Sequence, residues 1–502
     1  MPDNSNLSID TTIIHYIFLS NYLIKNIYWG SSMFTIYRHV IGVLYIIFIL
    51  FLFSSCSDSG DTTTCAAASD PTITSALMVF SAKGTIYVQL WGTDGTAKGT
   101  GMLKEINSLH GDSNPNHFTE LNGKLYFNAD DGINGSELWV TDGTTDGTFM
   151  VKNIRLSGSS DPANFTELNG KLYFQAGVPE YGRELWSTDG TDEGTVMVKD
   201  INPEEGFSNS NARHLIQFDG KLYFQATDGT NGAELWVTDE TSDGTVMVKN
   251  INPTGDSDPL DFAEFDGKLY FQANDGTNGS ELWVTDGTEA GTVMLTDINT
   301  SGDSDPSDLT EFDGKLYFQA NDGTNGSELW VTDGTEAGTV MLTNINTSGD
   351  SSPNLFIEFD GMLYFQANDG TNGSELWVTD GTEAGTVMVK NINPIGDGGP
   401  KNFIIMNSAL YFQASNGTDG FELWITDGTD DGTFMLKDIN PTGDGYPGYF
   451  TELNDKLYFT ADDGTHGKEL WVTDGTSRGT YMVKDISPGS DDGWPTYLTL
   501  VP

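Results

Sequence analysis

A ring of nine four-stranded antiparallel β blades, closed by the C-terminal strand, is the fold this sequence predicts. Three observations carry the prediction. Nine tryptophans recur every 47 to 50 residues, each in a variant of E-L-W-V-T-D-G-T-x-x-G-T. They are Trp91, Trp139, Trp186, Trp236, Trp283, Trp330, Trp377, Trp424 and Trp471, and they read as the structural marker of the repeat. A period in the forties marks a repeat architecture, in which one unit cannot bury its own apolar surface and its neighbours must. Each unit also reads as four short β runs. Finally, the ends are complementary: the first unit lacks its opening strand, and the last residues supply one.

Residues 306–345 serve as the type unit. The β runs are A (Leu309–Phe312), B (Lys315–Ala320), C (Glu328–Thr332) and D (Thr339–Ile345). Asp313-Gly314 joins A to B in two residues, a strong hairpin signal because both positions tolerate positive φ. The B–C link N-D-G-T-N-G and the C–D link D-G-T-E-A-G are short and glycine-bearing, whereas the D–A crossover is longest and carries proline. The inner runs L-Y-F, L-W-V and V-M-L place large apolar residues on both faces. Such a sheet needs a neighbour on each side. Blades arranged radially provide this, as in a β-propeller, and a two-sheet sandwich does not.

At the start, Leu77 to Trp91 aligns without a gap on Leu316 to Trp330, so the first repeat has B, C and D but no A. At the end, Tyr497–Val501 matches an A strand and stops. Pairing the two closes the ring and removes two sheet edges.

The balance of 73 acidic to 23 basic residues, net −50, repels phosphate backbones and excludes nucleic acid as a partner. Both cysteines, Cys56 and Cys65, precede the repeats, so packing alone must hold the array. Residues 1–56 read as an extension plus an export signal. The signal proper, 33–55, has Arg38 and His39, an apolar run from Val40 to Phe53, then F-S-S-C. That run is shorter than the ~20 residues of a membrane span. The ending resembles a bacterial lipoprotein cleavage site with Cys56 as the lipidated residue; an uncleaved signal anchor is the alternative. Residues 57–76 read as a flexible tether and 77–502 as the propeller.

The unit E-L-W-V-T-D-G-T resembles the bacterial repeat family named for ELWxxDGT, over residues 77–501. Eight copies keep E-L-W, the first has Gln89-Leu90-Trp91, and the fourth has Asp239-Glu240 in place of D-G. The resemblance implies an exported, surface-associated, propeller-like protein and brings no established activity.

The recurring D-G-T-x-x-G-T turn is oxygen-rich and resembles the aspartate-box hairpin of sialidase-like propellers. Its plainer role is folding, with Asp accepting turn amides. The B–C and D–A loops should emerge on one rim, and Asp303, Asp305 and Asp322 are the candidate calcium ligands there; no other cofactor is expected. One region departs from consensus. The B–C loop of the third repeat brings Glu180, Tyr181 and Arg183, the following crossover brings Arg213 and His214, and Arg155 lies in the preceding crossover. Aromatic and arginine residues on a rim make a candidate binding patch, against which stands neutral drift in older repeats. Only five arginines and no nucleophile motif occur, so no catalytic residue is assigned. The expectation is a monomeric, lipid-anchored scaffold at the outer membrane or cell surface, binding an extracellular glycan or protein and not an enzyme. The alternatives are a carbohydrate-active hydrolase and a purely structural surface protein.

Overall fold

The computed structural model describes residues 72–203 and 208–502; the expected export signal, the extension before it and the lipidation site Cys56 lie outside the described residues. Thirty-six strands form nine four-stranded antiparallel sheets arranged as a nine-bladed β-propeller. Each blade runs A to D from the axis outward. In the type blade the strands are Ser307–Phe312, Lys315–Asn321, Ser327–Thr332 and Val340–Thr343. The A strands touch those of both neighbouring blades all the way round, so they line the central channel. Blades are numbered from 1, which contains Trp91, to 9, which contains Trp471.

Closure occurs as expected. Thr496–Leu500 pairs antiparallel with Met78–Lys83 and becomes the A strand of blade 1, and the Val501 N–H donates to the Leu77 carbonyl at 2.9 Å. Thr72–Ala76, at the end of the segment read as a tether, are fastened to the ring. The Ile73 N–H donates to Met102 O at 3.1 Å and the Ala76 N–H to Gly143 O at 2.8 Å.

The core of the described residues divides into nine clusters, one at each blade–blade junction. Between blades 6 and 7, Phe312, Tyr317, Leu329 and Val331 meet Leu363, Phe365, Ala367 and Trp377. Consecutive residues of a strand point to opposite faces. In L-Y-F the tyrosine therefore serves one neighbouring blade while the leucine and phenylalanine serve the other. This is why the runs do not alternate with polar residues. The closing junction has the same composition: Tyr458, Leu470 and Val472 of blade 9 meet Met78, Phe80 and Trp91 of blade 1. Fully burying one such large side chain contributes about 1.5–3 kcal/mol.

Each cluster holds one of the nine repeat tryptophans. Trp139, Trp186, Trp236, Trp283, Trp330 and Trp424 fill the places that Trp91, Trp377 and Trp471 fill in their own junctions. All nine are buried, and none of their indole N–H groups has a hydrogen-bond partner among the described residues. A buried indole usually finds an acceptor. These rings therefore act mainly through apolar area, as the wedge that each blade offers its predecessor, and Lys249 Nζ also stands over the Trp283 ring at 5.9 Å.

Two details correct the sequence reading. Phe80 pairs with Trp91, whereas Phe318 pairs with Trp330, so the B–C loop of blade 1 is one residue shorter and the gap-free alignment is out of register. Met78, rather than Leu77, occupies the place of Leu316. The D strand also ends at Thr343 rather than Ile345. The Ile345 N–H turns inward to Glu328 Oε2 at 2.7 Å, which takes the chain out of the ladder.

That bond recurs round the ring. In blade 8, Glu422 of E-L-W accepts the N–H groups of Ile439 on Oε2 and of Asn440 and Gly445 on Oε1, at 2.7, 3.3 and 2.9 Å. The glutamate thus folds the D–A crossover, and burial pushes its carboxyl up to about 7 against the hydrogen bonds that hold it down. In blade 1 Gln89 does the same, because its amide nitrogen meets the carbonyl of Gly111. The D-G-T-x-x-G-T turn is likewise structural. Asp333 Oδ1 accepts the N–H and hydroxyl of Thr335 at 3.0 and 2.7 Å. Gly334, at φ +86°, lies against Tyr270 of the preceding blade, where a Cβ would stand 2.6 Å from the hydroxyl. Glu240 takes the corresponding place in blade 4 at φ +77° and reaches Asn169 and Lys171 of blade 3, at 2.7 and 3.1 Å.

Candidate functional site

The D–A and B–C loops do share one rim: the Ser327 N–H at the end of one donates to Asp350 Oδ1 of the other at 2.8 Å. At this rim the channel mouth is built from three positions per blade. The first lies two residues before the A strand begins, and in all nine blades it is left-handed: Asn114, Asp161, Asn211, Asp258, Asp305, Ser352, Gly399, Tyr446 and Trp494. Proline follows in every blade but one, where Ala212 stands. The second is the next left-handed residue, inside the A strand, where the ladder with B skips a step. In order from blade 1 it is Tyr497, His117, Asn164, His214, Asp261, Asp308, Leu355, Asn402 and Tyr449, with φ between 54° and 60°. The third is the residue before E-L-W.

The second series forms a collar in which adjacent blades meet. The rings of Tyr497 and His117 lie 6.5 Å apart, and those of Tyr449 and Tyr497 6.0 Å apart. Burial and the neighbouring Asp261 raise the pKa of Asp308, and burial raises that of Asp261. Burial lowers His214, as does Arg213, while Asp261 and Asp258 oppose the shift. A left-handed backbone is tolerable for Asn, Asp and His and costs about 1–3 kcal/mol for residues that dislike it. Leu355, Tyr449 and Tyr497 are therefore held there by the fold around them. Such strain clusters at functional positions.

The residue types change sharply round the mouth while the blades stay alike. Blades 5 and 6 present Asp258, Asp261, Asp305 and Asp308. Blades 8, 9 and 1 present lysines and aromatics around a recess of about 710 Å³. Lys468 Nζ stands over Trp494 at 4.3 Å and over Tyr446 at 5.2 Å. Lys401 Nζ stands over Phe421 at 5.5 Å, and Phe421 stacks on Tyr446 at 5.7 Å and 19°.

The sequence-predicted residues fall on two parts of this rim. Arg183, before E-L-W in blade 3, pairs with Asp161 at 2.9 Å, and Arg213, opening the A strand of blade 4, faces Asp258 at 3.6 Å. His214 belongs to the collar. Glu180 and Tyr181 are exposed in the B–C loop of blade 3, and Arg155 donates to the carbonyls of Ser157 and Ser159 in its own crossover. Asp303 Oδ1 accepts the Ser280 N–H at 2.8 Å, and Asp322 accepts Thr324 and Asn325 N–H groups at 2.8 and 2.7 Å. These carboxylates serve their loops, while Asp305 is itself a mouth residue, its carboxyl raised by burial and by Asp303. Among the described residues no group of three or more His, Cys, Asp or Glu is placed to hold a metal.

Sequence reading missed the lysine–aromatic arc. Its signal was present as departures from consensus columns: Phe421 and Lys468 where serine precedes E-L-W, and Tyr446 and Trp494 before the crossover proline.

No protein family and no curated protein matches the chain. Solved structures similar to it include a puromycin hydrolase, at 14% identity and TM-score 0.35, covering 66% of this chain and 55% of that one. A prolyl endopeptidase is similar at 12% identity and TM-score 0.39, covering 71% and 54%. The tricorn protease is similar at 15% identity and TM-score 0.28, covering 72% and 34%. The matches span about half the length of the first two structures, and likeness at this level concerns the fold. The expectation of a non-enzymatic binding or adhesion scaffold stands against these matches, which are hydrolases and peptidases, and is not carried further.

Proposed function

We propose that the ring is a peptide-selecting channel. The observation that carries this reading is the mouth: residues at equivalent positions there differ in charge and aromaticity from blade to blade, and Leu355, Tyr446, Tyr449, Trp494 and Tyr497 among them stand on left-handed backbone. By ring order, blades 5 and 6 lie two to four steps from the lysine-bearing blades 8 and 9, so the acidic and lysine–aromatic arcs occupy separate parts of the mouth. A ligand meeting both bears an ammonium and a carboxylate separated by apolar chain, which is the chemistry of a short peptide. An acidic surface with few cations makes two lysines at one mouth position-specific rather than incidental.

Calorimetric titration of the ring with short peptides, free or blocked at either terminus, tests the reading. Free peptides should bind, and blocking either end should weaken binding about tenfold, as loss of one charge-assisted contact does. Equal affinity for doubly blocked peptides, or no binding at all, would overturn it. Mass spectra of the same mixtures show whether the bound peptide is also cut.

A further inference from the structure

The two arcs differ in what they leave available. Four cations occupy two equivalent pairs of positions: Arg183 and Lys468 before E-L-W, Arg213 and Lys401 at the opening of an A strand. Both arginines have an aspartate of the pre-strand series as partner, Asp161 and Asp258. In blades 8 and 9 the residue equivalent to either aspartate is Tyr446. Among the described residues neither Lys401 nor Lys468 forms an ion pair. The carboxylates of the adjoining crossovers, Asp444 and Asp492, accept the backbone N–H groups of Phe421 and Lys468, at 2.9 and 2.8 Å respectively. An ammonium held over an aromatic face keeps N–H donors turned away from the ring, and the ring cannot neutralise it as a carboxylate does.

We propose that Lys401, Lys468, Phe421, Tyr446, Tyr449 and Trp494 form a subsite for the C-terminal carboxylate of a peptide whose last side chain is aromatic. The lysines take the carboxylate by charge-assisted hydrogen bonds. The last side chain lies on Trp494 and Tyr449, which are about half exposed and border the same recess. The inference deepens the peptide-selecting reading and rests on it for the identity of the ligand.

The test uses N-acetylated dipeptides ending in phenylalanine, as free acid and as amide, followed by calorimetry on the whole ring. Acetylation removes the ammonium, so only this subsite is probed. The acid should bind about tenfold more tightly than the amide. Lys468→Met should abolish that preference, Lys468→Arg should retain it, and Trp494→Ala should weaken acid and amide alike. Unchanged thermal melting of each variant guards against loss of the fold. Equal binding of acid and amide, or a preference that survives Lys468→Met, overturns the subsite. If free peptides still bind in that case, the peptide-selecting channel stands without it. If instead acetyl-phenylalanine and a uronate bind through Lys468 while peptides do not, the carboxylate contact stands and the peptide assignment falls. Absence of binding by every carboxylate overturns both.

Discussion

Blades 3 and 4 and blades 8, 9 and 1 place their few cations at the same points of the repeat, yet treat them oppositely. On one side Arg183 and Arg213 are matched by Asp161 and Asp258; on the other Lys401 and Lys468 look onto Phe421, Tyr446 and Trp494. The difference lies in the residue before one proline. It teaches that in a repeat ring the scaffold fixes positions, while single substitutions at those positions decide whether a charge is spent on folding or kept for a ligand.

The sharpest way to break this contrast is to exchange the deciding residue. Tyr446→Asp sets a carboxylate beside both lysines, and carboxylate binding should fall about a hundredfold by calorimetry, the effect of losing two charge-assisted contacts. Asp161→Tyr with Asp258→Tyr should make the arginine arc resemble the lysine arc and add a second, weaker binding step. If Tyr446→Asp binds as before, the contrast has no functional meaning.

The contrast also requires that both arcs rest on one scaffold. Glu422→Gln should lower stability by about 1–3 kcal/mol in thermal melts, because both its oxygens face N–H donors and an amide nitrogen cannot accept them. Arg183→Ala breaks a half-exposed pair and should change stability by less than about 1 kcal/mol. A reversed ranking would mean that the mouth, and not the crossover cap, holds the blades.

The same carboxylate sets a pH dependence. Burial raises Glu422 from 4.5 to about 7, so the folded ring keeps a proton that the unfolded chain releases between those values. Its contribution is complete below pH 4.5 and is lost as pH rises through about 7. Melting should therefore occur at a higher temperature at pH 5 than at pH 8, with a smaller difference in Glu422→Gln. The turn aspartates act in the other direction: hydrogen bonds from Thr335 lower Asp333, whose contribution is present above pH 3.8 and lost as pH falls below it. The smallest effect concerns collar strain. Leu355→Asn should stabilise the ring by about 1 kcal/mol, since asparagine accepts φ near 60° more readily than leucine.

Much of this architecture was legible because repetition amplifies a weak signal. Asp313-Gly314 predicts one hairpin, and its recurrence predicts a ring; Tyr497–Val501 was recognisable as the missing strand because eight complete copies showed what was missing. The spacing of Trp139, Trp186, Trp236, Trp283 and Trp424 gave the blade count in the same way, since each junction buries one of the series. The one-residue shift at Leu77 escaped notice, since Val79 and Ser81 replace the tyrosine and glutamine that would have marked the register. The lysine–aromatic arc escaped too. Lys401 and Trp494 lie far apart in sequence, and the departures from consensus at Phe421, Tyr446, Lys468 and Trp494 do not by themselves show that these residues meet.

By itself, then, the order of residues determined the blade, the number of blades and the strand that closes them, because those follow from periodic burial and turn chemistry acting within some fifty residues. Which cations are neutralised, and which stand over aromatic rings at the channel mouth, was decided only when closure brought Trp494 to Lys468 and Tyr497 between Tyr449 and His117. Charge and stacking act over a few ångströms, and the distance that matters for them is set by the ring.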